Sequence, residues 1–194
     1  MTGQFYQPNK LVNGIWTTFA AFAWGLAEAT IFFIVPDVLL SAIGCRSVRA
    51  GLKAITFAIF GALIGGTIMY FFGEHSPEQS QSLLTKIPAI HPKLIERVQA
   101  QLSAHGLLAV LIGPTEGIPY KIYATEWGIR GGNLPAFLLT TIPARGIRFL
   151  ISALLANGIA KAIQPWTKRR ASIEMTILTV FWILFYIFYF SIFD

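Results

Sequence analysis

Cysteine and charge are both scarce in this chain of 194 residues. Its single cysteine, Cys45, excludes an intrachain disulfide framework. Charged residues make up 12% of the chain, about half of the roughly 25% that is typical of soluble domains. The three histidines lack metal-ligand spacing, and the chain contains no GxSxG, HExxH or P-loop string. We therefore expect no metal site, no cofactor and no enzymatic activity.

Apolar residues are abundant instead. Hydrophobic residues account for 55% of the chain, and the mean hydropathy is +0.61, values that indicate an integral membrane protein. The formal net charge of +6 does not indicate a nucleic-acid partner in so apolar a chain. It fits a cationic cytoplasmic face in contact with anionic lipid headgroups.

Three hydrophobic stretches have the length of a single membrane crossing. Ile173 to Phe193 matches the roughly 20 apolar residues that one spanning helix needs, and Ala54 to Phe72 fits in the same way. Leu134 to Ile163 is long enough for a tilted or kinked crossing. In the earliest of the three, Gly61 and Gly65 form a GxxxG pair, which allows another helix to approach closely.

Two other apolar stretches do not fit simple crossings. Residues 11–44 are too many for one crossing and too few for two plus a turn, and Pro36 interrupts them near the end. Residues 105–128 contain a short apolar run followed by GPTEGIPYK, which includes Pro114 and Pro119. Because broken backbone at membrane depth must be buried in protein or line water, we predict that both stretches are re-entrant helical hairpins.

The predicted order of elements contains an internal repeat within a domain over residues 1–170. A hairpin followed by a crossing helix occurs twice, and the second copy starts from the opposite face of the membrane. The predicted fold is therefore all-α, with two re-entrant hairpins in an inverted repeat, two following transmembrane helices and a C-terminal transmembrane helix. Residues 74–104 link the copies, and Pro92 to Ala104 form an amphipathic helix. Such helices often lie in the interface, but we favour a packing role for this one.

The distribution of basic residues predicts the sidedness of this topology. With each hairpin returning to its own side, most lysines and arginines share one face, which the positive-inside rule assigns to the cytoplasm. The opposite face then carries few basic residues, mixed with acidic ones, and Asp194 at the C-terminus is external. The predicted cytoplasmic residues are Lys10, Arg46, Arg49, Lys53, Lys161, Lys168, Arg169 and Arg170.

Six charged residues lie inside or beside apolar segments, where ionised groups are costly and usually functional. Arg145 and Arg148 share one predicted helix face, and their planar forks suit a phosphate group, to which Lys121 would add a point charge. Desolvation favours the protonated form of a carboxyl, so Glu28 and Asp37 could carry protons. The alternative is that these acids and bases only neutralise one another in a buried network. The candidate site residues are Glu28, Asp37, Glu116, Lys121, Arg145 and Arg148.

Several strings, taken in order, resemble the DedA family, also known as SNARE-associated or VTT-domain proteins. AEATIFFIVPDVLL resembles the first hairpin of one DedA branch, and GALIGGTIMYFFG resembles its glycine-rich helix. GIPYKIYATEWG resembles its second hairpin, which reads P-x-P-[FY]-K, and PARGIRFLISALLANG resembles the helix that follows. The resemblance extends from about Gly25 to Gly158. This chain has Gly117 where the branch usually has a proline, and Glu126 and Trp127 where small residues are typical.

The resemblance implies a transporter of membrane lipids, of the flippase or scramblase type, in the inner (plasma) membrane of a bacterium. Members of the family are linked to the translocation of lipids such as undecaprenyl phosphate or phosphatidylethanolamine. Carried over to this chain, the family's acidic hairpin positions fall on Glu28 and Asp37, and its basic positions fall on Lys121, Arg145 and Arg148. The expected partners are lipids with an anionic headgroup, a homo-oligomer is compatible with the pattern, and proton coupling is left open.

Other functions remain open on the sequence alone. A proton- or cation-coupled exporter of a small solute could use the same carboxylates. A non-transporting factor that maintains the cell envelope by organising partners is a further alternative, and a membrane lipid enzyme is a minor one. A liposome assay that measures lipid flip against solute or proton flux would separate these functions.

Overall fold

The computed structural model describes residues 14–167 and 171–193. Within these ranges the regular structure is helical and contains no β-strand, which confirms the all-α prediction. Part of the predicted sidedness depends on Lys10, residues 168–170 and Asp194, which lie outside the described residues. In chain order the helices are α1 (Ile15–Thr30), α2 (Asp37–Arg46), α3 (Val48–His75), α4 (Pro77–Leu84), α5 (Pro92–His105), α6 (Leu108–Ile112), α7 (Tyr120–Ile129), α8 (Leu134–Thr167) and α9 (Ala171–Phe193), with a 3-10 turn at Gly113–Glu116 before α7.

Three of these helices, α3, α8 and α9, are long and apolar enough to cross a membrane. α3 has 28 residues, which corresponds to about 42 Å and exceeds the hydrocarbon thickness of a bilayer. The outward faces of the three helices expose large apolar side chains such as Phe60, Ile151 and Leu184. Extensive apolar surface of this kind indicates contact with a membrane. The structure therefore supports an integral membrane protein with three candidate crossings, close to the predicted positions.

Two of the crossings extend beyond the apolar runs that predict them. The helix predicted over 54–72 covers Val48–His75, and the helix predicted over 134–163 covers Leu134–Thr167. Hydropathy detects only the part of a helix that suits hydrocarbon, whereas backbone hydrogen bonding continues the helix into polar residues. The positions of the crossings are therefore predictable, but their ends are not.

α3 lies at the centre of the bundle, and its glycines let α1 pack directly against it. A Cβ atom at Gly61 would overlap the backbone carbonyl of Phe22, and a Cβ atom at Gly65 would lie 2.7 Å from the Cβ of Ala29. Side chains at these positions would force the two helices apart. The close approach predicted from the GxxxG spacing is confirmed.

The first broken segment consists of α1, residues 31–36 and α2. At the end of α1, Ala29 lies beside Gly65 in the middle of α3. At the end of α2, Gly44 lies beside Gly51, which is near the start of α3. A Cβ atom added at Gly51 would lie 3.3 Å from the Cα of Gly44. The chain therefore reverses its direction between α1 and α2, at the level of the middle of α3.

The second broken segment consists of α6, the 3-10 turn, residues 117–119 and α7. The ring of Tyr120, at the start of α7, lies against Gly66 in the middle of α3. The backbone of Thr125 lies against Gly73, near the end of α3. α7 therefore runs from the middle of α3 toward its C-terminal end, and the breaks of the two segments meet at the same level.

The linker between the two segments contains α4 and α5, and α5 packs as the sequence predicts. Its buried residues are Leu94, Ile95, Val98 and Leu102, which share one face. They belong to the same apolar cluster as Tyr123 of α7. The apolar face predicted for this helix is confirmed, because these residues are buried against the second broken segment.

Candidate functional site

A cavity of about 480 Å³ lies where the two breaks meet. Both broken segments, the loop between α4 and α5, and helices α8 and α9 contribute to its wall. Of the candidate site residues, only Arg145 is absent from the wall. The charged residues that line the cavity are Glu28, Asp37, Glu116, Lys121 and Arg148.

Lys121 lies in the first turn of α7 and is only 1% exposed. Its Nζ donates a hydrogen bond of 2.6 Å to the backbone carbonyl of Phe32, in the break of the first segment. Among the described residues no carboxylate forms an ion pair with Lys121. A cation at a helix N-terminus is also unfavourable to the helix dipole. Lys121 thus joins the two broken segments without a described anion to balance its charge.

Asp37 is the first residue of α2, where the helix dipole favours an anion. Its Oδ1 accepts a hydrogen bond of 2.6 Å from the Ser152 hydroxyl, and its Oδ2 accepts one of 2.8 Å from Arg148. The Asp37 side chain is 2% exposed, but the Arg148 side chain is 28% exposed. Because a guanidinium has five N–H donors, Arg148 can bind a further anion from the cavity while it contacts Asp37.

Arg145, three residues before Arg148 on α8, forms a buried ion pair with Glu28 of α1. The rings of Tyr120 and Phe149 lie over its guanidinium, with centroids 4.7 Å and 5.3 Å from Cζ. These contacts enclose Arg145 behind the cavity wall. The two arginines that the sequence pairs therefore have different environments: Arg145 holds Glu28 in place, and Arg148 faces the cavity.

Glu116 lies at the rim of the cavity and connects the second broken segment to the linker. Its Oε2 contacts a guanidinium nitrogen of Arg97 and accepts a hydrogen bond from Gln101, each at 2.7 Å. The side chains of Arg97 and Glu116 are 52% and 32% exposed, and such partly exposed pairs contribute at most about 1 kcal/mol to stability. Glu116 is therefore a weakly held group that a ligand or water can reach.

α9 supplies an aromatic wall that the sequence analysis does not assign to the site. Trp182, Phe185, Tyr186 and Tyr189 line the cavity. The Tyr186 hydroxyl accepts a hydrogen bond of 2.8 Å from the Val35 N–H, which satisfies a backbone donor in the first break. The available signal is the string FWILFYIFYF, in which aromatic residues recur every three to four positions and so share a helix face.

Glu126, which the sequence shows only as a departure from the family pattern, is a buried carboxylate with 1% exposure. It accepts hydrogen bonds from the side-chain amides of Gln81 on α4, at 2.8 Å, and Gln99 on α5, at 3.0 Å. Both helices of the linker are thus attached to α7 through one residue. No local pattern indicates these partners, because they lie 45 and 27 residues away along the chain.

Comparison with known proteins gives one relative and no activity. A protein of Haemophilus influenzae, described as uncharacterized, is 27% identical over 161 residues, which cover 82% of this chain and 79% of that protein. No protein-family model matches the chain. No solved structure matches it either. The resemblance to DedA proteins therefore stays a prediction.

The cavity wall combines charged side chains with aromatic and aliphatic ones. No cluster of three or more His, Cys, Asp and Glu side chains that could hold a metal ion occurs among the residues that the structure describes. Two cationic side chains, Lys121 and Arg148, and two acidic side chains, Glu28 and Asp37, line the same cavity.

Proposed function

We propose that this protein is a DedA-type lipid transporter, which moves a phospholipid or a polyprenyl-phosphate carrier lipid across the inner membrane of a bacterium. The headgroup phosphate enters the cavity between the two breaks and binds Lys121 and Arg148. The chain is oriented with the C-terminal end of α9 outside the cell. Proton uptake by Glu28 and Asp37 accompanies the movement of the anionic headgroup.

In this proposal the two broken segments are re-entrant hairpins related by an inverted repeat. Ala29, at the end of α1, lies beside Gly65, and Tyr120, at the start of α7, lies against Gly66. The two breaks therefore lie at the same level of α3, and these contacts support the proposal. Each segment is followed by a candidate crossing helix, α3 or α8. Broken helices that meet at mid-membrane are a recurrent feature of transporters with inverted repeats.

The burial of the Lys121 side chain without a described acidic partner is the observation that carries the proposal. Burial of an ion costs several kcal/mol unless a partner charge compensates it, and the described partner here is only the carbonyl of Phe32. A phosphate in the cavity would supply the missing anion. The N-terminus of α7 has no side-chain cap, so its backbone N–H groups add further donors for an anion.

Arg148 changes partners when the phosphate arrives. Its planar fork binds carboxylate and phosphate oxygens in the same geometry, so the phosphate competes with Asp37 for the guanidinium. In the proposal, Asp37 takes up a proton when it loses this cation. Departure of the phosphate restores the pair and releases the proton. Anion binding and proton uptake are thereby linked through one arginine.

An exporter of a small anionic solute is the second candidate, because the same two cations would bind such a solute. The position of α9 favours the lipid. α9 forms one wall of the cavity, and none of its apolar span is buried within the protein. A hydrocarbon chain attached to a headgroup in the cavity can therefore stay in the bilayer beside α9.

Lipid translocation by the purified protein tests the proposal. We expect liposomes that contain the wild-type protein to move a fluorescent phosphatidylglycerol between leaflets. Lys121→Gln should lower the rate about ten-fold or more, because a hydrogen bond to a charged group contributes about 1.5–3 kcal/mol. Arg148→Lys should also lower it, because lysine keeps the charge but loses the bidentate fork.

The matched controls are Lys53→Gln and Arg49→Lys, which alter exposed residues of α3 far from the cavity. Both controls should translocate lipid at the wild-type rate. Liposomes that move no lipid but carry a solute or proton flux would contradict the proposal and favour the exporter. Equal rates for all four variants would show that the cavity cations take no part.

A further inference from the structure

A groove of about 290 Å³ lies between α2, α8 and α9 and adjoins the charged cavity. Ser152 and Trp182 belong to the walls of both spaces. Beyond these two residues the wall of the groove is mainly hydrocarbon, contributed by residues such as Ala156, Ile159 and Phe181. The groove is therefore an apolar extension of a charged site.

α9 borders the groove without packing tightly on the rest of the protein. The Trp182 indole N–H donates a hydrogen bond of 3.0 Å to the Ser41 hydroxyl, which holds α9 at the junction of groove and cavity. Next to this junction, Leu155 and Ile177 line the groove but are 60% and 45% exposed. The groove is thus open along its length to the apolar surroundings of α8 and α9.

We propose that this groove binds one hydrocarbon chain of the lipid whose phosphate occupies the cavity. The inference rests on the proposed function, because it needs the phosphate at Lys121 and Arg148. A hydrocarbon chain is already in an apolar medium, so the groove gives it a defined position and no hydrophobic gain. Binding of the hydrocarbon chain in the groove would hold the headgroup close to Lys121 and Arg148.

Charge sets the direction of the bound lipid. Glu174, which is 8% exposed, lines the groove with Ile163, at the end remote from the cavity. Its carboxylate repels an anionic headgroup there, whereas Arg148 attracts one at the Ser152 end. The hydrocarbon chain of the lipid then extends along the groove from Ser152 toward Ile163 and Glu174.

Photocrosslinking tests the inference without reliance on transport. The wild-type protein is placed in vesicles of phosphatidylethanolamine and phosphatidylglycerol that contain a phosphatidylglycerol with a diazirine in its chain. We expect cross-links at residues 155–163 of α8 and 174–182 of α9. Ala156→Phe fills the groove and should lower these cross-links about five-fold or more, whereas Leu154→Phe, at a position outside the groove with 47% exposure, should not.

A reversible block keeps the test valid if Ala156→Phe fails to fold. Cys45 lines the groove and is the only thiol of the chain. A benzyl group attached to it as a mixed disulfide should lower the groove cross-links by the same factor, and a reductant should restore them. Cys45→Ala, which cannot react, should keep its cross-links after the same treatment.

The variant Lys121→Gln tests whether the groove and the cavity bind the same lipid. Its groove cross-links should fall several-fold, because the phosphate no longer positions the hydrocarbon chain. If cross-links depend on Ala156 and Lys121 but the vesicles show no translocation, the inference holds and the proposed function fails. Cross-links that are as frequent on the outer face of α9, at Leu184, which is 59% exposed, would overturn the inference. Groove cross-links that do not change in Ala156→Phe, with blocked Cys45 or in Lys121→Gln would overturn it as well.

Discussion

Two buried carboxylates, Glu28 and Asp37, have arginine partners that differ in exposure. The side chain of Arg145 is 1% exposed, whereas that of Arg148 is 28% exposed. Removal of Glu28 leaves a guanidinium that water cannot reach, but removal of Asp37 leaves one that faces the cavity. Loss of one partner from a fully buried pair typically costs about 3–5 kcal/mol. The Glu28–Arg145 pair is therefore more important for stability, and the Asp37–Arg148 pair is more suited to an exchange of partners.

Glu28→Gln should lower the free energy of unfolding by about 3 kcal/mol or more, and Asp37→Asn should lower it by clearly less. The measurement is the thermal unfolding midpoint of the purified protein in detergent. The double variant Glu28→Gln/Arg145→Met should recover much of the loss, because it removes both buried charges. Equal losses in the two single variants would show that exposure of the arginine does not decide the outcome.

At the scale of elements, the contact between α1 and α3 holds the first broken segment in place. The contact depends on the absence of a side chain at Gly61, since a Cβ there would overlap the carbonyl of Phe22. Gly158, in α8, has no atom within 4 Å of the place where its Cβ would lie. The two glycines lie in helices of similar type, and only one of them is required for packing.

Gly61→Ala is expected to destabilise the protein by about 1–3 kcal/mol, because the added methyl group pushes two backbones apart. Gly158→Ala should be neutral or stabilise the protein by up to about 1 kcal/mol, because alanine favours a helix more than glycine does. Thermal unfolding of the two variants, side by side, checks this. A loss of stability in Gly158→Ala as large as in Gly61→Ala would contradict the assignment of close packing to Gly61.

For the whole molecule, the proposed sidedness depends on the charges that flank the two ends of α3. Arg46, Arg49 and Lys53 cluster at its N-terminal end, while Glu74 and Glu78 lie at the other end. The positive-inside rule assigns the basic end to the cytoplasm. Cys45 is an unsuitable reporter for a membrane-impermeant reagent, because it lines the apolar groove and not an aqueous surface, whereas an apolar thiol reagent can reach it there.

Cysteines at exposed positions test the sidedness directly. In a Cys45→Ala background, Arg49→Cys should react with a membrane-impermeant maleimide only after the cells are opened. Glu78→Cys should react in intact cells. Labelling of Arg49→Cys in intact cells, and of Glu78→Cys only in opened cells, would show that the topology is inverted and that the C-terminal end of α9 is cytoplasmic.

Much of the fold is predictable from short stretches of sequence, because the relevant physics is local. A run of about 20 apolar residues predicts a crossing helix, and Pro36 and Pro119 mark breaks because proline removes a backbone donor. The buried face of α5 follows from its helical spacing. The charged residues of the cavity wall are predictable as a set, because charges in apolar segments are rare.

Hydropathy, proline and charge act over a few residues, so short stretches of the sequence are enough to indicate a helical membrane protein with charges inside its apolar segments. Which of these charges meet depends on the packing of helices that are distant in the chain. Asp37 and Arg148 are 111 residues apart in the chain, and Lys121 is 89 residues from its carbonyl partner. Partner choice and exposure depend on how helices pack, and so the separation of Arg145 from Arg148 and the bonds of Glu126 appear in no local pattern.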